Sequence, residues 1–285
     1  MKSSFKSSGH TLGIRNIDSG KDESILLLHG FNDTKETFIF LEEFLLSRFN
    51  LFSFDFRGHG DSDWKTSGFY NSQESLLDIH NFIETFLKEK KFHVLAHSMG
   101  AGLASRYVGF YPENVQSLIL LEGFSGLQAQ DIDATRIRNW MDTHAKKNSK
   151  QKISERRESK KEDLEKKLGF IYSKLDKEKV KTLCSFLIEE TDSNLYRWKN
   201  DPNLKTGSPI PFPPELSRYL WRNIQCPILL LFGEDTHLMP THLDEIKSHF
   251  NKLEFHTIKN AGHNMQHDQP EILIELMKDF LERHV

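Results

Sequence analysis

The chain has 285 residues with 38 basic and 41 acidic side chains, which gives a formal net charge of -3. This length corresponds to about two typical domains or to one large α/β domain with an insertion. The near balance of charge argues against a general attraction to nucleic acid or to an anionic membrane.

In the first part of the chain, short apolar runs alternate with longer amphipathic stretches. This pattern indicates β-α repeats and a mostly parallel sheet. The predicted strands there are residues 25–29, 51–55, 92–97 and 117–122, and predicted helices begin near Thr37, Gln73 and Met99. The pattern stops after Glu122 and resumes with predicted strands 228–232 and 254–258 and predicted helices 242–250 and 270–282.

The interruption divides the chain into three predicted parts. Residues 1–123 and 224–285 form the two parts of an α/β core, and residues 124–223 form an inserted cap that is polar, mainly helical and finally Pro-rich. Within the cap, residues 146–167 hold ten Lys or Arg against five Asp or Glu. We expect this run to be a solvated face, with binding of an anionic partner as the alternative.

Residues 92–102, FHVLAHSMGAG, predict a strand, a sharp turn and the start of a helix, with Ser98 at the apex. A serine hydroxyl is a poor nucleophile, so a hydrolase must expose it, place a base beside it and direct backbone N–H groups at the developing oxyanion. Small residues are needed where strand and helix nearly touch, and Ala96 and Gly100 provide them. The segment therefore predicts a nucleophile elbow, the alternative being an ordinary loop or capping serine.

Three further segments turn this motif into a family resemblance. They are LLLHGFNDTKETF at residues 26–38, FDFRGHGDSD at residues 54–63 and AGHNMQHDQPE at residues 261–271. In order and spacing the four segments resemble the α/β-hydrolase superfamily, and RWKNDPNL at residues 197–204 is similar to its serine hydrolase-like branch. The resemblance implies an α/β-hydrolase fold, with a mostly parallel central sheet, flanking helices and an inserted helical cap.

The resemblance also implies a general base and an oxyanion hole. His263 follows Ala-Gly in the loop between the last predicted strand and the last helix, where this fold carries its base. The backbone N–H groups of Met99 and Phe31 are the expected oxyanion donors. His29 is expected to be a core histidine, and His267 a contact at the start of the helix.

The position of the triad acid departs from the family pattern. The usual position, three residues after Gly233, holds Thr236, and Asp235 stands one residue earlier. We expect Asp235 to be the acid, because the order Ser98, Asp235, His263 is that of the fold. Glu122 is the alternative, because some relatives, such as certain haloalkane dehalogenases, take their acid from the end of that strand.

The cap contains several aromatic residues. Trp140, Trp198 and Trp221 are predicted to contact substrate, the alternative being that they pack inside the cap. An apolar pocket of this kind favours small to medium uncharged acyl groups.

Together these features predict a carboxylesterase-like serine hydrolase that cleaves a small-molecule ester or thioester through an acyl-enzyme, without cofactor or metal. Hydrolysis of a carbon-carbon bond by the same triad and a noncatalytic receptor or scaffold of this fold are the alternatives. The dehalogenases and epoxide hydrolases of similar fold use an Asp nucleophile, so Ser98 argues against both chemistries.

The expected location follows from what the sequence lacks. The longest aliphatic or aromatic run, residues 228–232, is far shorter than the roughly 20 residues of a membrane span. The N-terminal segment has no apolar signal region, and Cys184 and Cys226 are too few for a disulfide framework. We expect a cytoplasmic protein without a membrane span and without a nucleic-acid partner, of open oligomeric state.

Overall fold

The computed structural model describes residues 3–124, 134–149 and 158–284, with the backbone alone described for residues 146–149. The predicted solvated run at residues 146–167 therefore lies partly outside the described residues. No helix within the described ranges is both long and apolar enough to cross a membrane.

An eight-stranded sheet forms the centre of the described structure, and a two-stranded hairpin lies in the cap. In chain order the strands are Ser4–Ser7 (β1), His10–Ile17 (β2), Glu23–Leu28 (β3), Phe49–Phe54 (β4), Phe92–His97 (β5), Val115–Leu121 (β6), Ile188–Glu190 (β7), Tyr196–Trp198 (β8), Ile228–Gly233 (β9) and Leu253–Ile258 (β10). The spatial order is β1-β2-β4-β3-β5-β6-β9-β10. In this spatial order, the six strands β4, β3, β5, β6, β9 and β10 are parallel to one another. Strand β2 pairs antiparallel with β4, and β1 pairs antiparallel with β2.

Helices cover both faces of the sheet and build the cap. They are Glu42–Arg48 (α1), Ser72–Phe86 (α2), Met99–Phe110 (α3), Ala134–Ser149 (α4), Lys161–Ile171 (α5), Lys177–Leu187 (α6), Pro214–Asn223 (α7), Leu243–Lys247 (α8), Met265–Asp268 (α9) and Pro270–His284 (α10), with 3-10 turns at Ile39–Leu41 and Pro202–Thr206.

Alternate side chains of the central strands enter two separate cores. In β5, Val94 packs on the side of α2 and α3, whereas Leu95 packs on the side of α1 and α10. In β6, Leu120 and Leu121 divide in the same way. Because both faces of a parallel sheet are buried, its strands are apolar at nearly every position, which is why they could be predicted from the sequence. The predicted α/β architecture is thus confirmed.

The order of the strands fixes where a ligand can bind. From β3 the chain crosses to β4 on one side and then returns to β5 on the other side of β3. In open α/β sheets such a reversal opens a crevice at the carboxyl ends of the two diverging strands. Here residues 29–31 follow β3 and Ser98 follows β5.

Four strands were not predicted, namely β1, β2 and the cap hairpin β7-β8. The antiparallel strand β2 has only part of its length buried, so it lacks a continuous apolar run. The strands of the hairpin have three residues each, which is too short for an alternating pattern to stand out.

The cap is built in two different ways. Helices α5 and α6 and the hairpin enclose a small core of their own, centred on Leu164, Leu183 and Cys184. Helix α7 instead packs on α3, so closely that a Cβ on Gly109 would lie 2.4 Å from the carbonyl oxygen of Leu220. The end of the predicted cap region is therefore packed as part of the core.

Polar contacts join the cap to the loop that follows β4. The Tyr70 hydroxyl donates to the Asp201 carboxylate over 2.6 Å, and the Asp201 N–H donates to the Gly58 carbonyl over 2.8 Å. Lys199 lies 3.1 Å from the Asp61 carboxylate. The segment that resembles the serine hydrolase-like branch thus connects the cap to the core.

Candidate active site

Ser98 stands at the sharp turn between β5 and α3. Its φ of 52° lies in the positive-φ region, where the backbone of a non-glycine residue is strained. The turn is held by the Ser98 N–H, which donates to the Leu121 carbonyl over 2.8 Å. A Cβ on Gly100 would lie 2.6 Å from the His29 and Leu28 carbonyl oxygens, so only glycine permits this approach of helix to strand. This close packing explains the small residues of the predicted elbow.

His263 lies in the loop between β10 and α9, and its Nε2 is 3.0 Å from Ser98 Oγ. The backbone of His263 is held in place by His97, whose Nε2–H donates to the His263 carbonyl over 2.9 Å. Burial keeps the pKa of His97 well below its usual range, so this neighbour of the serine is neutral at physiological pH. The structure therefore brings together Ser98 and His263, which sequence reasoning paired.

Glu122 is the carboxylate that faces His263. Its Oε2 is 3.2 Å from His263 Nδ1, and the side chain is fully buried. Oε1 accepts a 2.7 Å hydrogen bond from the Gly233 N–H, and Oε2 accepts another of 2.7 Å from the Thr236 hydroxyl. Every one of these neighbours is a donor, which is the arrangement that a buried carboxylate requires.

The prediction that Asp235 contacts His263 is wrong. The Asp235 side chain is 53% exposed and forms an ion pair with Lys174 of the cap, while its N–H donates to the Ala261 carbonyl over 2.9 Å. The loop after β9 thus turns the Asp235 carboxylate outward. Thr236, at the usual acid position of the family, donates a hydrogen bond from its hydroxyl to Glu122. Glu122 was the alternative triad acid in the sequence analysis.

Buried histidines fix the loops around Ser98. His29 Nδ1–H donates to the Gly30 carbonyl over 2.7 Å, and Nε2 accepts from the Phe56 N–H over 2.9 Å. Burial lowers the pKa of His29 to about 3, so the ring remains neutral and fixes the loop that carries Phe31. His267 is also buried and donates from Nε2 to the Thr37 carbonyl over 2.8 Å. Both were expected to be structural, and their contacts agree with that expectation.

A cleft of about 450 Å³ opens beside Ser98. Phe31 and Met99, whose N–H groups are the expected oxyanion donors, line it next to the serine. The α3 wall continues to Arg106, and residues between 207 and 214 of the cap region also line the cleft. No group of three or more His, Cys, Asp or Glu side chains within the described ranges is arranged to hold a metal ion.

The three tryptophans predicted to contact substrate do not line this cleft. Trp221 is buried in the main core, where its indole N–H donates to Ser105 Oγ over 3.1 Å. Trp198 packs against the small cap core, and Trp140 packs edge-to-face on Phe69. The described side chains thus engage these three tryptophans in packing rather than in the wall of the cleft, and their contact with substrate stays a prediction. The aromatic lining consists instead of Phe31, Phe56, Tyr70, Phe124 and Phe212.

Comparison with known proteins shows which family the chain resembles. The profile of the alpha/beta hydrolase fold family matches residues 23–270. The chain is similar to the serine hydrolase-like protein of Danio rerio, with 23% identity over 266 residues that cover 90% of this chain and 81% of that protein. It is also similar to monoacylglycerol lipase ABHD6 of Rattus norvegicus, with 24% identity over 276 residues that cover 92% and 76%.

Among solved structures, the thioesterase domain from the curacin biosynthetic pathway superposes with a TM-score of 0.81 at 20% identity, and the match covers 98% of each chain. At this identity the likeness concerns the fold alone. The family profile, in contrast, spans most of the sequence, including β3, the elbow and the loop that carries His263. The chain therefore belongs to the α/β-hydrolase fold family.

Proposed function

We propose that the protein is a serine hydrolase that cleaves a carboxylic ester or thioester through an acyl-enzyme. The observation that carries this proposal is the contact series at the cleft, in which Ser98 Oγ lies 3.0 Å from His263 Nε2 and His263 Nδ1 lies 3.2 Å from Glu122. A hydroxyl, an imidazole and a carboxylate in this order form the arrangement that activates a serine nucleophile.

The reaction proceeds in two halves. Ser98 Oγ attacks the carbonyl carbon while its proton passes to His263 Nε2, and the protonated imidazole then gives that proton to the departing alcohol or thiol. In the second half, a water molecule loses a proton to His263 and attacks the acyl-enzyme carbonyl. Ser98 regains the proton as the carboxylic acid leaves.

Two other groups stabilise charge along this path. Glu122 accepts from His263 Nδ1–H, which leaves Nε2 free to accept the serine proton and stabilises the imidazolium once it forms. The N–H groups of Met99, at the start of α3, and of Phe31 are proposed to bind the oxyanion of the tetrahedral intermediate. The similarity to a monoacylglycerol lipase supports an ester as the substrate.

A fluorophosphonate probe tests the proposal, because it forms a covalent bond only with an activated serine. We expect the wild-type protein to be labelled at Ser98, Ser98→Ala to be unlabelled, and His263→Ala to be labelled at least about 10³-fold more slowly. His242→Ala, which changes an exposed histidine, is the matched control and should label at the wild-type rate. Absence of labelling in the wild-type protein would support the noncatalytic alternative.

The contact between Thr236 and Glu122 gives a finer prediction. Thr236→Val removes one hydroxyl donor from a buried carboxylate while keeping the shape of the side chain. Because a hydrogen bond to a charged group contributes about 1.5–3 kcal/mol, we expect kcat for an aryl ester to fall by about 10-fold or more. Thr257→Val, at an exposed position of β10, is the control. Unchanged kcat in Thr236→Val would show that Glu122 does not need this support.

A further inference from the structure

The arginine and carboxylate inventory of the cleft is one-sided among the described lining residues. It includes Arg57, Arg106 and Arg136, and no Asp or Glu is among the described lining residues. Arg57 is already neutralised, since Asp78 accepts from its guanidinium at 2.6 and 2.7 Å and Glu74 lies 3.3 Å away. Its charge therefore has a structural explanation within the protein.

Arg106 has a different environment. Its Nε donates to Ser217 Oγ over 3.1 Å, and its guanidinium lies 4.5 Å from the centre of the Phe212 ring. Within the described part of the chain, no carboxylate lies within ion-pair distance of this guanidinium. A cation that is partly removed from water without a counter-charge is unfavourable. Burial accordingly lowers the pKa of Arg106 to about 10, at which the group is still charged at neutral pH.

The position of Arg106 on α3 relates it to the nucleophile. Met99, Leu103 and Arg106 follow one another at helical spacing and all line the cleft. At about 1.5 Å per residue, Arg106 lies roughly 12 Å along the helix from Ser98. Side chains on a helix lean toward its N-terminus, so the arginine leans toward the serine end of the cleft.

The contacts of Arg106 also orient it. The hydrogen bond to Ser217 uses Nε, and the ring of Phe212 covers one face of the guanidinium. The remaining N–H groups form a planar pair suited to two parallel hydrogen bonds with a carboxylate or phosphate. Arg136, which also lines the cleft, donates to the Ser208 carbonyl over 3.1 Å.

We propose that Arg106 binds an anionic group of the substrate, a carboxylate or a phosphate, which the substrate carries at its end remote from the scissile bond. This inference rests on the proposed serine hydrolase function and names its substrate class. An anionic substrate differs from the uncharged acyl groups expected from the cap aromatics. That expectation did not consider Arg106, which has no carboxylate partner among the described residues.

Matched pairs of esters test the proposal on the full-length protein. On the acyl side, mono-para-nitrophenyl adipate is compared with para-nitrophenyl hexanoate. On the alcohol side, the acetate ester of ω-hydroxyhexanoate is compared with hexyl acetate. We expect one anionic ester to exceed its neutral partner in kcat/KM by about 10- to 100-fold, as loss of a charge-assisted hydrogen bond implies. Replacing the carboxylate of the preferred ester by a phosphonate then distinguishes a carboxylate from a phosphate ligand.

Arg106→Gln should remove this preference, mainly through a higher KM for the anionic ester, and leave kcat/KM for the neutral ester within about threefold. Arg106→Lys, which keeps the charge but loses the planar pair of donors, should retain part of the preference. Arg218→Gln is the control, because Arg218 is already paired with Glu215 and Glu245.

The outcomes separate this inference from the proposed function. Fluorophosphonate labelling at Ser98 without any preference for an anionic ester would overturn the role of Arg106 and leave the serine hydrolase intact. An equal loss for both members of a pair in Arg106→Gln would overturn it as well. Absence of labelling and of all ester hydrolysis would overturn the function and the substrate class together.

Discussion

Glu122→Gln is expected to lower kcat for ester hydrolysis by about 10³- to 10⁴-fold with the fold intact, whereas Asp235→Asn should stay within about threefold. Glutamine can still accept from the Gly233 N–H, but its amide NH₂ then points to His263 Nδ1. The imidazole must accept at Nδ1 and carry its proton on Nε2, so it cannot take the serine proton. The same change of tautomer accounts for the loss of about 10⁴-fold when the triad Asp of a serine protease is replaced by Asn.

The comparison is decisive because the two carboxylates have opposite environments. Asp235 is half exposed and paired with Lys174, and surface pairs of this kind contribute only about 0–1 kcal/mol. Steady-state kinetics on Glu122→Gln and Asp235→Asn measure the change in kcat, and circular dichroism verifies that both variants are folded. A large loss in Asp235→Asn with a mild effect in Glu122→Gln would assign the acid to Asp235.

The second large effect concerns stability in acid. Among the described residues, burial lowers the pKa of five buried histidines: His29, His59, His93, His97 and His267. The pKa falls to about 3 for His29 and His59 and to about 4 for His93 and His267. Below about pH 6.5 the unfolded chain protonates these rings while the folded protein does not. The stability they contribute is therefore present above pH 6.5 and lost as the pH falls toward 4.

Two buried carboxyls oppose this trend. Burial raises the pKa of Asp33 to about 6 and also raises the pKa of Asp55, so the folded protein holds protons there that the unfolded chain lacks over the same interval. With a net difference of roughly three protons and about 1.4 kcal/mol per proton and pH unit, the free energy of unfolding should fall by roughly 4 kcal/mol per pH unit below pH 6. A domain at the low end of the usual stability of about 5–15 kcal/mol would therefore unfold near pH 5, and a more stable one at lower pH.

Urea denaturation at pH 7.5, 6.5 and 5.5 measures this slope. His93→Gln, which can keep a hydrogen bond to Ser117, should reduce the slope by about 1.4 kcal/mol per pH unit. His242→Gln, at an exposed position, should leave the slope unchanged. A free energy of unfolding that stays constant between pH 7.5 and 5.5 would contradict the prediction.

The central sheet could be predicted because its strands must be apolar on both faces. Strand β5 matches its predicted bounds, and β6 and β9 differ by one or two residues. The N-terminal strands β1 and β2 escaped prediction because an antiparallel edge needs only one apolar face. Tertiary pairing, rather than a local pattern, makes them strands.

The parts of the site that could be predicted are those encoded by local sequence. Ser98 is identified by the steric demands of its turn, and His263 by its place before the last helix. The choice between Asp235 and Glu122 depended on side-chain direction, which is decided by the distant contacts to Lys174 and Thr236. Arg106 could have been noticed from its helical spacing to Met99, although only the structure shows that no carboxylate of the described residues pairs with it.

The origin of the carboxylate that faces His263 has a consequence for the modularity of this protein. Ser98 and Glu122 follow adjacent strands, β5 and β6, and backbone hydrogen bonds from Ser98 to Leu121 and from Glu122 to Leu231 keep them in register. They belong to a single strand-helix-strand unit. In the loop after β9, Thr236 donates to Glu122, whereas Asp235 forms an ion pair with Lys174 of the cap. We therefore expect that exchange of the cap together with Asp235, by recombination or by design, alters which substrates reach Ser98 while Ser98, Glu122 and Thr236 stay in place.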